Sequence, residues 1–248
     1  MEKTVKELVV WMEPFLREAG HESALRALAF VQGLMAREDL KEGIRTRLAR
    51  EAAHGLRVCA MLLDLDPAIS HGEMDTLLSA VLLHVYPENF PFEDAGEKLT
   101  SLGFAPEVTA LVSTIVPERE GDDGQQDAYY QRVQENPLAL LAVLADRGDL
   151  ATQLYRFSTW NAHRYIDETK ACYYPMCIYG KEHYHGLLAA INVLTEKIRT
   201  LVEVSEILLT RYEVREAELT EDILTLREEN ATIRGIIDQF EAEEAAAE

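Results

Sequence analysis

The sequence predicts an all-α protein. Apolar residues recur at helical spacing along most of the chain, no alternating or β-branched run is long enough to require a strand, and the connecting segments are short and polar. At 248 residues the chain has room for one principal core and an appendage. We therefore expect a helical domain over 1–193 and a carboxyl-terminal coiled-coil helix with an acidic tail over 194–248.

Helices are expected over 3–18, 22–37, 41–64, 73–84, 93–101, 106–115, 137–168 with a break, and 181–242. The first opens on MEKTVKELVVWMEPF, where charged and apolar residues alternate without the basic head and apolar middle of a secretory signal. That start reads as a cytoplasmic amino terminus. The third, IRTRLAREAAHGLRVCAMLLDL, carries Arg47, Arg50, His54 and Arg57 at steps of three, four and three, which puts them on one face. Ile44, Leu48, Cys59 and Leu63 fall on another face, toward the core. A basic strip on an acidic chain suits phosphate oxygens; the other reading is a solvated helix surface with no ligand.

The fourth helix, in LLSAVLLHVYPENF, is apolar and delivers His84 at its end. Pro87 disfavours α conformation at Tyr86 and is expected to turn the chain, leaving Glu88 and Asn89 in a loop. Such a histidine is either a hydrogen-bonded core residue or a metal ligand. Pro117 to Gln126, PEREGDDGQQ, offers nothing to bury and is expected to be flexible. Beyond it, LALLAVLADRGDLATQLY places Asp146 beside Arg147 in an apolar helix. A carboxylate there must be paired with a base or bound to a metal, because an isolated buried charge is very costly.

The last quarter changes period. Tyr212, Leu219, Leu226, Ile233 and Phe240 recur every seventh residue, and Ile223 and Ile237 follow Leu219 and Ile233 by four, the spacing of a coiled-coil seam. Asn230 lies in the lane of the two isoleucines, where one polar residue sets register and favours two strands. A homodimer through 194–240 is expected, the rival being a long helix folded back on its own domain. Gly235 weakens the helix by about 1 kcal/mol.

Composition excludes some functions. A formal charge of −20 argues against general nucleic-acid binding, which needs positive surfaces. No apolar run approaches a membrane span. Three cysteines, Cys59, Cys172 and Cys177, make no disulfide framework and suit a reducing compartment. Cys172, Cys177, His183 and His185 do not have the spacing of a common zinc site. Trp160, Tyr165, Tyr173 and Tyr174 read as packing residues, not a base-stacking platform.

Taken together, His54, His84 closing an apolar helix, and Asp146 within Leu144, Ala145, Asp146 and Arg147 resemble the HD superfamily, and more narrowly the hydrolase domain of the RelA and SpoT (p)ppGpp synthetase/hydrolase proteins. FAPEVTALVSTIV and QLYRFSTWNAHRYIDETKACYYPM are similar to later segments of that domain, so the resemblance spans roughly 20–190. It implies an HD-type helical bundle in which His54, His84 and Asp146 bind manganese or another divalent metal, and Glu88 and Asn89 occupy the positions that activate water. It also implies nucleotide contacts from Arg45, with Arg47, Arg50 and Arg147 completing the basic set. Several positions depart from the pattern. Val85 stands where the family has the aspartate after its histidine, Asn89 where it has the second acid, Val143 where it has lysine and Leu150 where it has asparagine. An amide cannot accept a proton as a general base. The expected function is accordingly a nucleotide-sensing or interaction module with impaired catalysis and a phosphorylated nucleotide as ligand. The alternatives are an active metal-dependent phosphohydrolase of alarmone or other nucleotide phosphates, and a structural coiled-coil adaptor.

Overall fold

A computed structural model of the chain describes residues 4–90, 95–117 and 123–247; the side chains of residues 88, 123–125 and 239–247 lie outside the described set. The described residues are overwhelmingly helical and contain no strand. The helices are α1 (Val5–Ala19), α2 (Glu22–Met35), α3 (Glu42–Leu65), α4 (His71–Leu83), α5 (Val85–Asn89), α6 (Ala95–Ser101), α7 (Pro106–Ile115), α8 (Asp123–Gln134), α9 (Pro137–Ala151), α10 (Thr159–Glu168), α11 (Tyr174–His183) and α12 (Leu188–Ala247). None is long and apolar enough to cross a membrane.

Local chemistry sets the boundaries. Thr4 with Glu7 and Ser70 with Glu73 form reciprocal capping boxes that start α1 and α4. Asn136 accepts from the amides of Leu138 and Ala139 at the start of α9, where Pro137 needs no amide partner. Gly20 ends α1 with φ of 77°, a left-handed conformation that only glycine adopts freely.

Two helices are apolar all round and form the centre of the first compact unit, Met1–Val202. Leu77 to Leu83 of α4 and Ala139 to Ala145 of α9 are each an unbroken buried run. Helix α2 packs on α4, α7 packs on both α4 and α9, and α3 packs on α1, α4 and α9. The contact of α3 with α4 passes over Gly55: a Cβ there would stand 3.2 Å from the carbonyl of Val81 and 3.5 Å from the His84 ring. Omitting that carbon lets α3 carry His54 close to the end of α4.

The chain differs from expectation at three places. The turn at Pro87 is the short helix α5, in which the proline occupies the first turn, where its missing amide costs nothing. Asn89 is therefore helical and not in a loop. Of the segment expected to be flexible, residues 118–122 lie outside the described set, while Asp123 onward belongs to α8, anchored by buried Tyr129 and Val133. The break expected within 137–168 falls after Ala151, where a short 3-10 turn spans Leu154–Arg156. A π turn, Thr169–Tyr173, then joins α10 to the further helix α11.

The start of α12 contributes Ile191, Leu194, Ile198 and Val202 to the first unit's core, so that unit reaches Val202. The second unit, Glu203–Glu248, is the rest of that helix. From Arg211 to Asp238 every described residue is exposed.

One pH effect follows from the packing of α2. His21 is buried and stacked on His71, ring centroids 4.5 Å apart, and its Nδ1 has no hydrogen-bond partner among the described residues. Burial, and then the charge of His71, push its pKa below the ordinary 6.5, with Asp75 opposing. A depressed folded-state pKa gives stability that is present above the unfolded-state value and lost as pH falls. The urea midpoint is expected to fall as pH drops below about 6.5, and to fall less in His21→Gln. An equal fall in both proteins contradicts this.

Candidate metal centre

The helical register interlocks two pairs of residues. Asp146 and Asp149 are three apart on α9, His54 and Arg57 three apart on α3, so each pair presents one face to the other. His54 Nε2 lies 2.5 Å from Asp146 Oδ1, and His54 Nδ1 lies 2.7 Å from Asp149 Oδ2. Arg57 closes the far side, donating to both oxygens of Asp149 at 2.9 and 2.8 Å, and Gln153 donates to Asp149 at 3.0 Å. His84 completes the group from the end of α4, its ring 5.9 Å from that of His54 and nearly perpendicular to it. His54, His84 and Asp146 each offer one ligand atom, and these lie within 4.8 Å of one another.

This set fits a divalent first-row ion. Two imidazoles and one carboxylate are the ligand types such ions prefer, and they leave positions open for water or a phosphate oxygen. Ligand atoms on opposite sides of an ion with bonds of about 2.0–2.2 Å stand about 4 Å apart, and the three ligand atoms lie no more than 4.8 Å from one another. The outer nitrogens are also held. His84 Nδ1 donates to the carbonyl of Val81, which leaves its Nε2 lone pair for an ion. His54 Nδ1 faces Asp149, the carboxylate–histidine arrangement that orients a metal-binding imidazole.

Burial disfavours the charged form of His54, but the carboxylates of Asp146 and then Asp149 outweigh it and raise its pKa to about 10. Burial likewise opposes ionisation of Asp146; His54, with His84 adding to it, nevertheless holds that carboxyl below its ordinary value. Asp149, also opposed by burial, is held low by hydrogen bonds from His54 and Arg57.

Beside the group lies a cavity of about 420 Å³ bordered by Arg50, Glu51, His54, Arg57, Gln153 and Arg156, with Phe157 and Leu150 as its apolar wall. His84 and Asp146 also border a smaller chamber of about 220 Å³, otherwise lined mainly by apolar and aromatic side chains such as Val58, Val81, Tyr129 and Tyr173.

The expected site residues separate into two sets. His54, His84, Asp146 and Arg50 meet at the cavity. Arg45 does not reach it, and is turned toward the carbonyl of Leu40 at 3.4 Å and Glu42 at 3.6 Å. Arg47 donates to Asn89 Oδ1 at 2.8 Å, and the Asn89 amide donates to Glu51 and, at 2.8 Å, to the carbonyl of Val85. Arg47 and Asn89 thus fix Glu51 and tie α5 to α3, and neither borders the cavity. The side chain of Glu88 lies outside the described set. Val85 packs among Val31, Leu34, Leu48, Ala52 and Tyr86.

Arg147 points away from Asp146 and borders neither cavity beside His84. It is 4% exposed and sandwiched between the rings of Tyr165 at 3.6 Å and Tyr173 at 4.1 Å. It donates to Thr169 at 2.8 Å, to Glu168 at 2.9 Å and to the carbonyl of Tyr165. Its place is in docking α10 and the π turn onto α9. Replacing a buried, fully paired guanidinium leaves acceptors unpaired and removes two cation–π contacts, so Arg147→Met is expected to cost about 3 kcal/mol in urea unfolding, with metal content unchanged. Loss of metal at native stability would return Arg147 to the site.

Residue-by-residue reading of the sequence did not anticipate Asp149, Gln153 or Glu51 in these places; the signal for Asp149 was its three-residue step from Asp146 on a helix already requiring partners. Asp149 enters as the partner of His54 Nδ1. Among the described residues, no metal-ligating cluster forms at Cys172, Cys177, His183 and His185. No protein-family model matches the chain, and neither does any curated protein or solved structure.

Proposed function

We propose that this chain binds a divalent cation, manganese by the resemblance to the HD superfamily, at His54, His84 and Asp146, and a phosphorylated nucleotide in the adjoining cavity, as an HD-type phosphohydrolase scaffold with impaired turnover. The observation that carries this reading is the convergence of two imidazoles and a carboxylate on the wall of an arginine-bordered cavity in a chain whose net charge is −20. When bound, such an ion polarises a phosphoryl oxygen and neutralises its charge.

The side chains supply the rest. Arg50 and Arg156 present guanidinium groups to phosphate oxygens, for which planar bidentate donors are well suited. Arg57 adds positive potential while holding Asp149. Phe157 and Leu150 give an apolar surface against which a base or ribose packs. Turnover is impaired because position 85 offers a buried methyl-bearing side chain in place of a carboxylate, and because Asn89 is an amide committed to Arg47, Glu51 and Val85.

A second reading has one specific observation in its favour. Glu51 borders the cavity three residues before His54, held in place by Asn89 and facing Arg47 at 3.8 Å. It is placed to accept a proton from water, which would make the chain a slow hydrolase. Titration with manganese and guanosine nucleotides of increasing phosphate number, followed by a phosphate- and pyrophosphate-release assay, separates the two. Sensing predicts nucleotide binding weakened at least tenfold by Arg50→Ala, without release. Slow hydrolysis predicts release abolished by Glu51→Gln. Absence of nucleotide binding with native metal content would leave neither standing.

A further inference from the structure

We propose that the second unit pairs with a second copy of this chain as a parallel, in-register, two-stranded coiled coil. This inference is independent of the metal centre. From Arg211 to Asp238 all described residues are exposed, and Leu219, Ile223, Leu226, Ile233 and Ile237 each leave roughly half of their surface in water. Isolated helices are marginal in water, and their stability in proteins comes from burying an apolar face. The side chain of Phe240, the last member of the repeat, lies outside the described set.

Strand number and direction follow from which residue sits where. In the seven-residue repeat, Leu219, Leu226 and Ile233 occupy one core lane (d), and Ile223, Asn230 and Ile237 the other (a). Isoleucine in the a lane with leucine in the d lane favours two parallel strands, and asparagine in the a lane does so more selectively. The Asn230 amide donates to the carbonyl of Leu226 at 2.9 Å, which leaves its side-chain oxygen to accept from the same residue of a second copy. That pairing exists only in register; a slip of one repeat sets Asn230 against isoleucine.

The flanks give the same answer through charge. Asp222 and Glu229 precede the a positions, and Arg227 and Arg234 follow the d positions. In a parallel in-register pair, the residue before an a position faces the residue five further along on the other strand. Asp222 then meets Arg227 of the second copy and Glu229 meets Arg234, each twice by symmetry. In an antiparallel pair each flank meets its own kind, acid against acid and arginine against arginine, and Asn230 faces leucine or isoleucine. None of the four makes an ion pair within the chain among the described residues. Gly235 sits on the outward face, where nothing lies within 4 Å of a Cβ position, so its weakness falls outside the seam.

The test uses the full chain in light scattering after size exclusion. The expected mass is twice the 28.0 kDa of one chain. Arg227→Glu/Arg234→Glu and Asp222→Arg/Glu229→Arg each place like charges across the interface, so each alone is expected to dissociate at least tenfold more readily, and an equimolar mixture to recover native association. Helical circular dichroism checks that the first unit remains folded. Ile223→Cys, mildly oxidised, is expected to form a reducible dimer, since residue 223 opposes itself only in the parallel pair. A monomer or a trimer at micromolar concentration overturns the proposal. So does a dimer in which the charge variants associate normally and Ile223→Cys does not cross-link.

Discussion

His54→Ala is expected to abolish binding of the proposed divalent ion and to cost the fold about 3–5 kcal/mol, the range for taking one partner out of a buried charge network. His54 stands between two carboxylates, 2.5 Å from Asp146 and 2.7 Å from Asp149, and is itself 8% exposed. Without it, the described hydrogen-bond donors to the two acids, three residues apart on α9, are Arg57 and Gln153, both on the Asp149 side, and Asp146 is left with the charge of His84. Urea unfolding with and without manganese checks both parts: the variant is expected to unfold at lower urea and to show no shift when manganese is added, because a ligand stabilises only a fold that binds it. His54→Gln keeps hydrogen-bonding capacity and is expected to lose the manganese shift with a smaller loss of stability. A His54→Ala protein with native stability and a native manganese shift would remove His54 from the centre.

Val85→Asp does not repair the site. Comparison with the HD pattern suggests the opposite, since an aspartate after the second histidine is what the chain lacks. The structure gives the reason: the Val85 side chain is 1% exposed and lies against Val31, Leu34, Leu48, Ala52 and Tyr86, with Phe30 and Phe90 at the margin. Apart from the hydroxyl of Tyr86, that cluster offers a carboxylate no side-chain donor, so it is buried poorly paired or folded neutral, at a cost of about 4 kcal/mol. The expected result is a lower urea midpoint and no gain in manganese affinity. Tighter manganese binding at unchanged stability would mean that α5 rotates readily to present residue 85 to the metal.

The parts of the fold that were legible in the sequence are those fixed by short-range chemistry. Apolar runs long enough to bury a helix on every side mark α4 and α9, and His84 and Asp146 stand out because each is a polar group in such a run. Their convergence with His54 required α3 to lie across both helices, and Gly55 is the visible trace of that approach only once the contact is known. Other features depend on partners far along the chain. Arg147 read as a ligand-binding neighbour of Asp146, but successive residues on a helix point about 100° apart, and its partners lie 18 to 26 residues later at Tyr165, Glu168, Thr169 and Tyr173, away from the cavities beside His84. Asn89 read as a lost catalytic acid, whereas its neighbours make it a strut between α5 and Glu51. Helix α8 was hidden because its polar sequence buries little beyond Tyr129 and Val133.

The metal content of the purified protein tests the central claim most directly. After dialysis against manganese and then against metal-free buffer, the account predicts about one ion per chain in the native protein and none in His54→Ala or Asp146→Asn, with Cys172→Ser unaffected. A native protein that retains no manganese, zinc or iron under these conditions would contradict the account: the three residues would then be a buried histidine bridging two aspartates, a structural ion network with no metal to hold.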